Sequence, residues 1–218
     1  RIQEFTFDWF AASGENTGDW GFRFDFLTKL SLNSRLAGLE REIDNNPLTV
    51  LNAGFRNGCF IGNVEPRTFQ SPVTAPFSSN KPGLLIERIK GEFNQESGIP
   101  KIDFSVLSDC ILPASTAGGT QTVNFDDFWI KMSSRGLFTG QSPAFAPAHP
   151  LPWQQLEIAM QTAELMLSEE QGEQNARLNL DGRINLPLSG TSTISANGSG
   201  EFDLISRQII TGEFVIND

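Results

Sequence analysis

The stretch GEFDLIS, residues 200–206, carries the first side chains in this sequence whose types and spacing bear on chemistry. Glu201 and Asp203 are two apart, and alternation along a strand puts both on one face. Two acids sharing a sheet face suit glycoside hydrolysis, in which a nucleophile and an acid about 5 Å apart give retention. Other acids are placed less usefully. Asp126 and Asp127 are adjacent, so on a strand they point to opposite faces unless a bulge intervenes. Asn179 with Asp181, and Asp44 with Asn45 and Asn46, offer oxygen ligands to Ca²⁺ without completing a calcium-loop pattern. Turn residues are the plainer reading of both groups.

Glu201 and Asp203 resemble part of the Glu-x-Asp-x-x-Glu signature of jelly-roll glycoside hydrolases of the laminarinase and agarase type. The resemblance implies a nucleophile at Glu201 and an assisting acid at Asp203. It covers seven residues, and the acid/base glutamate is replaced by Ser206, or by Arg207 in the longer variant of the signature. The proton donor is therefore missing. The preferred reading is two solvated acids on an outer strand face.

Nucleophilic and metal chemistry have little to draw on. His149 is the single histidine and sits between prolines in APAHPLP. A serine or cysteine device needs a base oriented by a third group, and this loop supplies none. Cys59 and Cys110 are too distant in sequence for a C-x-x-C or zinc knuckle. They are read either as two buried thiols or as one disulfide, with export of the chain favouring the bridge. No glycine-rich phosphate loop is present, and neither cofactor nor metal is expected.

Aromatic residues offer a different chemistry, stacking on sugars. In FTFDWFAASGENTGDWGFRFDF, residues 5–26, they alternate, pause at a polar loop and resume. A hairpin pairing Trp9 with Trp20 also pairs Phe7 with Phe22 and Phe5 with Phe24, so that all six share a face. Such a stripe left in water is an exceptional patch, and each ring gains about 1.5–3 kcal/mol on burial. It is therefore read as the inner face of a sheet. Trp129 and Trp153, each beside polar or loop residues, are the better candidates for a carbohydrate platform.

The elements that position these residues follow from pattern. Leu32, Leu36, Leu39 and Ile43 recur at helical spacing and Asn45–Asn46–Pro47 ends the run, predicting a short helix. LTVLNAGF, CFIGNV, LLIERIKGEF, KIDFSVLSDCIL and TVNFDDFWIKMSS read as strands. Pro66, Pro72, Pro76 and Pro82 mark EPRTFQSPVTAPFSSNKPG as a long ordered loop. The proline-rich stretch at 139–152 reads as a strap over the domain, or else a linker dividing it. Residues 153–170 satisfy helical spacing at Trp153, Leu156, Met160, Ala163 and Leu167 and also alternate at Leu156, Ile158 and Met160. Helix is preferred, although Glu169 and Glu170 would oppose its dipole. From residue 176 onward the chain reads as strands separated by Asp-Gly, Ser-Gly and Asn-Gly turns. The whole, 1–218, reads as a single mostly β domain, an antiparallel sandwich of jelly-roll type with one or two short helices.

Bulk properties bound the function. Of the 218 residues, 26 are acidic and 16 basic, for a net charge of −10, which repels phosphate backbones and anionic lipid. Nucleic acid is excluded as a partner on that ground. No apolar run reaches the roughly 20 residues of a membrane helix. Few lysines, abundant small polar residues and a start at Arg1 without a leader suggest a processed or trimmed chain, extracellular or at the cell surface. The reading that follows is a non-catalytic structural, adhesive or matrix subunit. Its terminal strands are suited to self-association. A carbohydrate-binding module or glycoside hydrolase, and a carrier holding an apolar ligand among the phenylalanines, are the alternatives.

Overall fold

A computed structural model describes residues 2–11, 20–32, 34–56, 59–78, 82–96, 99–114, 119–133, 135–154, 156–187 and 193–216. The described residues are mostly antiparallel β with one short α-helix. Its strands are β1 (Ile2–Ala11), β2 (Trp20–Thr28), β3 (Leu48–Arg56), β4 (Cys59–Pro76), β5 (Gly83–Glu96), β6 (Ile99–Pro113) and β7 (Thr120–Val123). They continue as β8 (Trp129–Met132), β9 (Phe138–Gln141), β10 (Leu151–Trp153), β11 (Leu156–Glu170), β12 (Glu173–Pro187), β13 (Thr193–Asp203) and β14 (Gln208–Ile216). The helix α1 (Ala37–Asn45) follows a 3-10 turn at Ser34–Leu36. Consecutive strands are hydrogen-bonded neighbours from β1 through β6 and again from β11 through β14, so the sandwich expectation is refined to a meander.

Two compact units make up the chain: residues 1–74, 86–107 and 131–136, and residues 75–85, 108–130 and 137–218. In the first, β1 pairs with β2 over Ile2↔Thr28 to Ala11↔Trp20. The register is two residues from the one expected: Trp9 faces Phe22, Phe7 faces Phe24 and Phe5 faces Phe26. A two-residue slip preserves which positions share a face. The burial of these rings lies outside the described residues. The helix forms over the later part of the predicted run, burying Leu39 and Ile43 beside Leu36 of the 3-10 turn, while Leu32 lies outside it. No side chain caps its start. Its end is held instead by Arg67 of β4, whose guanidinium donates to the carbonyls of Asn46 and Glu42.

The segment expected to be a proline loop is strand β4. Its register with β3 (Val50↔Val64) exhausts β3 near Pro66, so the later prolines need satisfy no β3 carbonyl. Pro66 and Pro72 are exposed while Phe69, Val73 and Ala75 are buried, which is the half-buried strand pattern the prolines obscured.

The second unit departs most from expectation. Residues 156–170 are strand, paired with β12 from Glu157↔Asn185 to Glu170↔Glu173. A bulge between Met160 and Thr162 inserts one residue, so the buried set runs Ile158, Met160, then Ala163, Leu165, Leu167. The three-residue step across the bulge is what imitates a helical period. The β11–β12 turn is Gln171–Gly172, with φ of 53° and 82°, both in the left-handed region that a type I′ hairpin requires. Asp181–Gly182 and Asn197–Gly198 are not turns but mid-strand pairs, facing each other as Gly182↔Gly198. A Cβ on Gly198 would lie 1.8 Å from the Glu213 carbonyl oxygen, so glycine is needed there for close strand approach.

TVNFDDFWIKMSS is two strands, β7 and β8, broken at Asp126–Asp127. The buried Asp109 carboxylate imposes the break, accepting from Asn124 Nδ2 at 2.6 Å and the Phe125 N–H at 3.0 Å. Residues 139–152 run along β11, bridged at Phe145↔Ala163 and joined again through β10. Gln121 secures the same stretch, accepting from the His149 N–H and donating to the His149 carbonyl. The core of this unit includes Phe77, Phe128, Phe138, Leu165, Leu178 and Phe202.

Candidate functional site

The outward positions of β11 to β14 follow directly from the inward ones. Leu178, Leu180 and Ile184 face the core from β12, leaving Arg177, Asn179, Asp181 and Arg183 on the other side. Ladder register then aligns polar side chains in rows across the strands. One row is Glu164–Asn179–Glu201–Thr211, and the next is Thr162–Asp181–Ser199–Glu213. Between these rows lies a shallow, open depression of about 450 Å³. Ala144 stands at its rim, and Leu180 and Gly200 contribute to its lining.

Each carboxylate in the depression is held by a neighbour. Glu164 accepts from Gln141 Nε2 at 2.8 Å, and Asp181 accepts from the Thr162 hydroxyl at 3.2 Å. Glu201 pairs with Arg177 at 2.9 Å. Asn179 donates to the Met166 sulfur at 2.9 Å. The hydroxyls of Ser199 and Thr211 have no hydrogen-bond partner among the described residues.

Of the residues singled out from sequence, Glu201 lines this depression and Asp203 does not. Asp203 Oδ1 accepts the Ile205 and Ser206 N–H groups, both at 2.7 Å, and so shapes the β13–β14 turn. Asn179 and Asp181, considered above as loop ligands for calcium, sit instead on a strand in the two central rows. Asp44 pairs with Lys29 at 3.2 Å. No group of three or more His, Cys, Asp or Glu poised for a metal ion occurs among the described residues.

Trp129 in β8 and Trp153 in β10 are half-buried and lie outside the depression. His149 is exposed, with its backbone pinned by Gln121. Cys110 is a free thiol, fully buried in β6. It packs as a small hydrophobe, and burial, aided by the Asp109 charge, pushes its pKa up. The Cys59 side chain lies outside the described residues.

Sequence reasoning missed Glu164, Thr162 and Ser199 as neighbours of Glu201. The alternation that identifies outward positions was readable in β12 and β13, but the Met160/Thr162 bulge hid the phase of β11. Comparison of the chain with family models, curated proteins and solved structures finds no match.

Proposed function

We propose that the protein is a non-catalytic structural or adhesive subunit, secreted or at the cell surface, that assembles with copies of itself by strand addition. The observation that carries this reading is the last strand. Among the described residues β14 pairs only with β13, and Ile210, Val215 and Ile216 are 44%, 56% and 54% exposed. Natural sheets guard such edges with lysine, proline or several charges. Gln208–Ile216 contains no lysine, arginine or proline, and its one charged residue is Glu213. A bulge at Ile210 interrupts the start of the strand, leaving Thr211–Ile216 as the regular stretch for a partner.

The partner is a second copy offering its first strand. β1 stands at the opposite end of the strand order, paired among the described residues only with β2. Joining β14 to β1 of the next copy is a head-to-tail contact, which runs on into a filament where its rotation does not close. The non-catalytic part of the reading is supported by the occupations of the acids. Glu201 is paired with Arg177, and Asp203 holds a turn.

Light scattering after size exclusion tests it, with electron microscopy of the heavy fractions. The parent chain is expected to give species well above its 24.0 kDa mass. Val215→Lys with Ile216→Lys, at positions already more than half exposed, is expected to return it to a monomer, as is deletion of residues 1–10. A monodisperse 24.0 kDa parent at high concentration, or assemblies indifferent to both changes, would overturn the reading.

A further inference from the structure

We infer that the depression on the outer face of β11 to β14 binds a neutral saccharide, recognised by hydrogen bonds and not by ring stacking. The site belongs to one side of one unit, and the inference does not rest on self-assembly.

The ligand class follows from the chemistry of the lining. Asn179, Ser199 and Thr211 are uncharged groups that donate and accept, which is the capacity needed to meet hydroxyls of either orientation, and Thr162, whose hydroxyl proton goes to Asp181, still accepts. Strands about 4.8 Å apart, with like-facing residues about 6.8 Å apart along each, set these groups on a grid comparable in scale with the substituents of a pyranose ring. The floor is low because Gly200 faces Gly212 across β13 and β14. A Cβ on Gly200 would lie 2.8 Å from the Thr211 carbonyl, so the two strands approach closely here.

The three carboxylates sharpen the class further. Each is already fixed by a side chain of the protein: Glu164 by Gln141, Asp181 by Thr162, Glu201 by Arg177. An oriented carboxylate accepts strongly from a hydroxyl, and its orientation is settled before the ligand arrives. The same charges repel sulfated, phosphorylated or uronic-acid polymers. Donors already hold all three acids, and no metal-poised group occurs among the described residues, so a bare cation is the poorer fit. A polyol without charge satisfies the whole set.

The test is affinity electrophoresis of the full chain in native gels. The gels contain amylopectin, mixed-linkage β-glucan, xylan or galactomannan, with alginate as the anionic control. At least one neutral polymer is expected to retard the parent, and alginate is not. Asn179→Ala and Thr211→Val are each expected to weaken that retardation about tenfold, the loss of one well-placed hydrogen bond. Trp129→Ala and Trp153→Ala should leave it unchanged. Circular dichroism melts verify that the variants fold, and Ser199→Ala substitutes for either that does not.

Four outcomes would overturn the inference: no retardation by any neutral polymer, retardation indifferent to the depression variants, retardation abolished by EDTA, or capture by polylysine in place of saccharide. The third would assign the site to a bridging cation and the fourth to a basic chain. A monomeric protein retarded by glycan would refute self-assembly and leave the saccharide site standing.

Discussion

Replacing Asp203 separates a turn-building carboxylate from a catalytic one. Its Oδ1 accepts two backbone N–H groups, Ile205 and Ser206, each at 2.7 Å. Bonds to a charged acceptor contribute about 1.5–3 kcal/mol when sheltered, but Ser206 is exposed and water replaces part of the loss. Asp203→Ala should therefore cost roughly 2 kcal/mol in all. In a chain of this size that corresponds to a fall of about 4–8 °C in Tm. Asp203→Asn retains an oxygen at the same place and should cost under about 0.5 kcal/mol. Urea denaturation with linear extrapolation gives both numbers, and hydrogen exchange of the 204–207 turn locates the effect. The turn also carries Arg207 at φ 59° and is tied down by the Leu204 N–H, which donates to the Ala176 carbonyl at 2.9 Å. An alanine variant within about 0.5 kcal/mol of the parent, or an asparagine variant as costly as alanine, would refute the reasoning.

Gln174 supplies a second test. Its Oε1 accepts the Phe138 N–H at 2.7 Å and its Nε2 donates to the Phe138 carbonyl at 3.0 Å, both in buried surroundings. Gln174→Ala strands two main-chain groups, so a loss of about 3 kcal/mol and roughly hundredfold faster exchange across β9 are expected; a loss below about 1 kcal/mol would refute the assignment. Cys110 sets an alkaline limit. Its folded pKa is raised above the unfolded value by burial, so the unfolded chain loses the proton first. The stability is complete below about pH 8.5 and falls by about 1.4 kcal/mol per unit above it, a slope that Cys110→Ala should remove. Iodoacetamide should label Cys110 only in the unfolded chain, and rapid native labelling would count against its burial.

Period-two patterns were legible wherever strands ran unbroken. β1, β2 and β14 lie where alternation predicts strands, whereas β12 and β13 run on through the Asp-Gly and Asn-Gly pairs read as turns, and α1 lies within the leucine-spaced run. The difficulty arose where one local feature had two physical causes. A gap of three in β11 arises equally from a helical turn and from a bulge, and pairing with β12 decides between them. Proline in β4 forbids a donor but not a strand, and the outcome depends on whether a neighbour asks for that donor. Glycine in Asp181–Gly182 and Asn197–Gly198 permits a turn or a close approach, and its cross-strand partner determines which.

The candidate site divides in the same way. Alternation alone put Glu201 and Asp203 on one strand face, and composition alone made the chain acidic and strand-rich. Only the ladder register brought Glu164, Asn179, Glu201 and Thr211 into one row, from four strands as far apart in sequence as residues 164 and 211. Only the tertiary contacts gave Asp203 to a turn, Glu201 to Arg177 and Asp109 to the 124–125 backbone. The reason is physical: alternation follows from the backbone of a single strand, whereas register and partner choice are properties of pairs that no one segment contains.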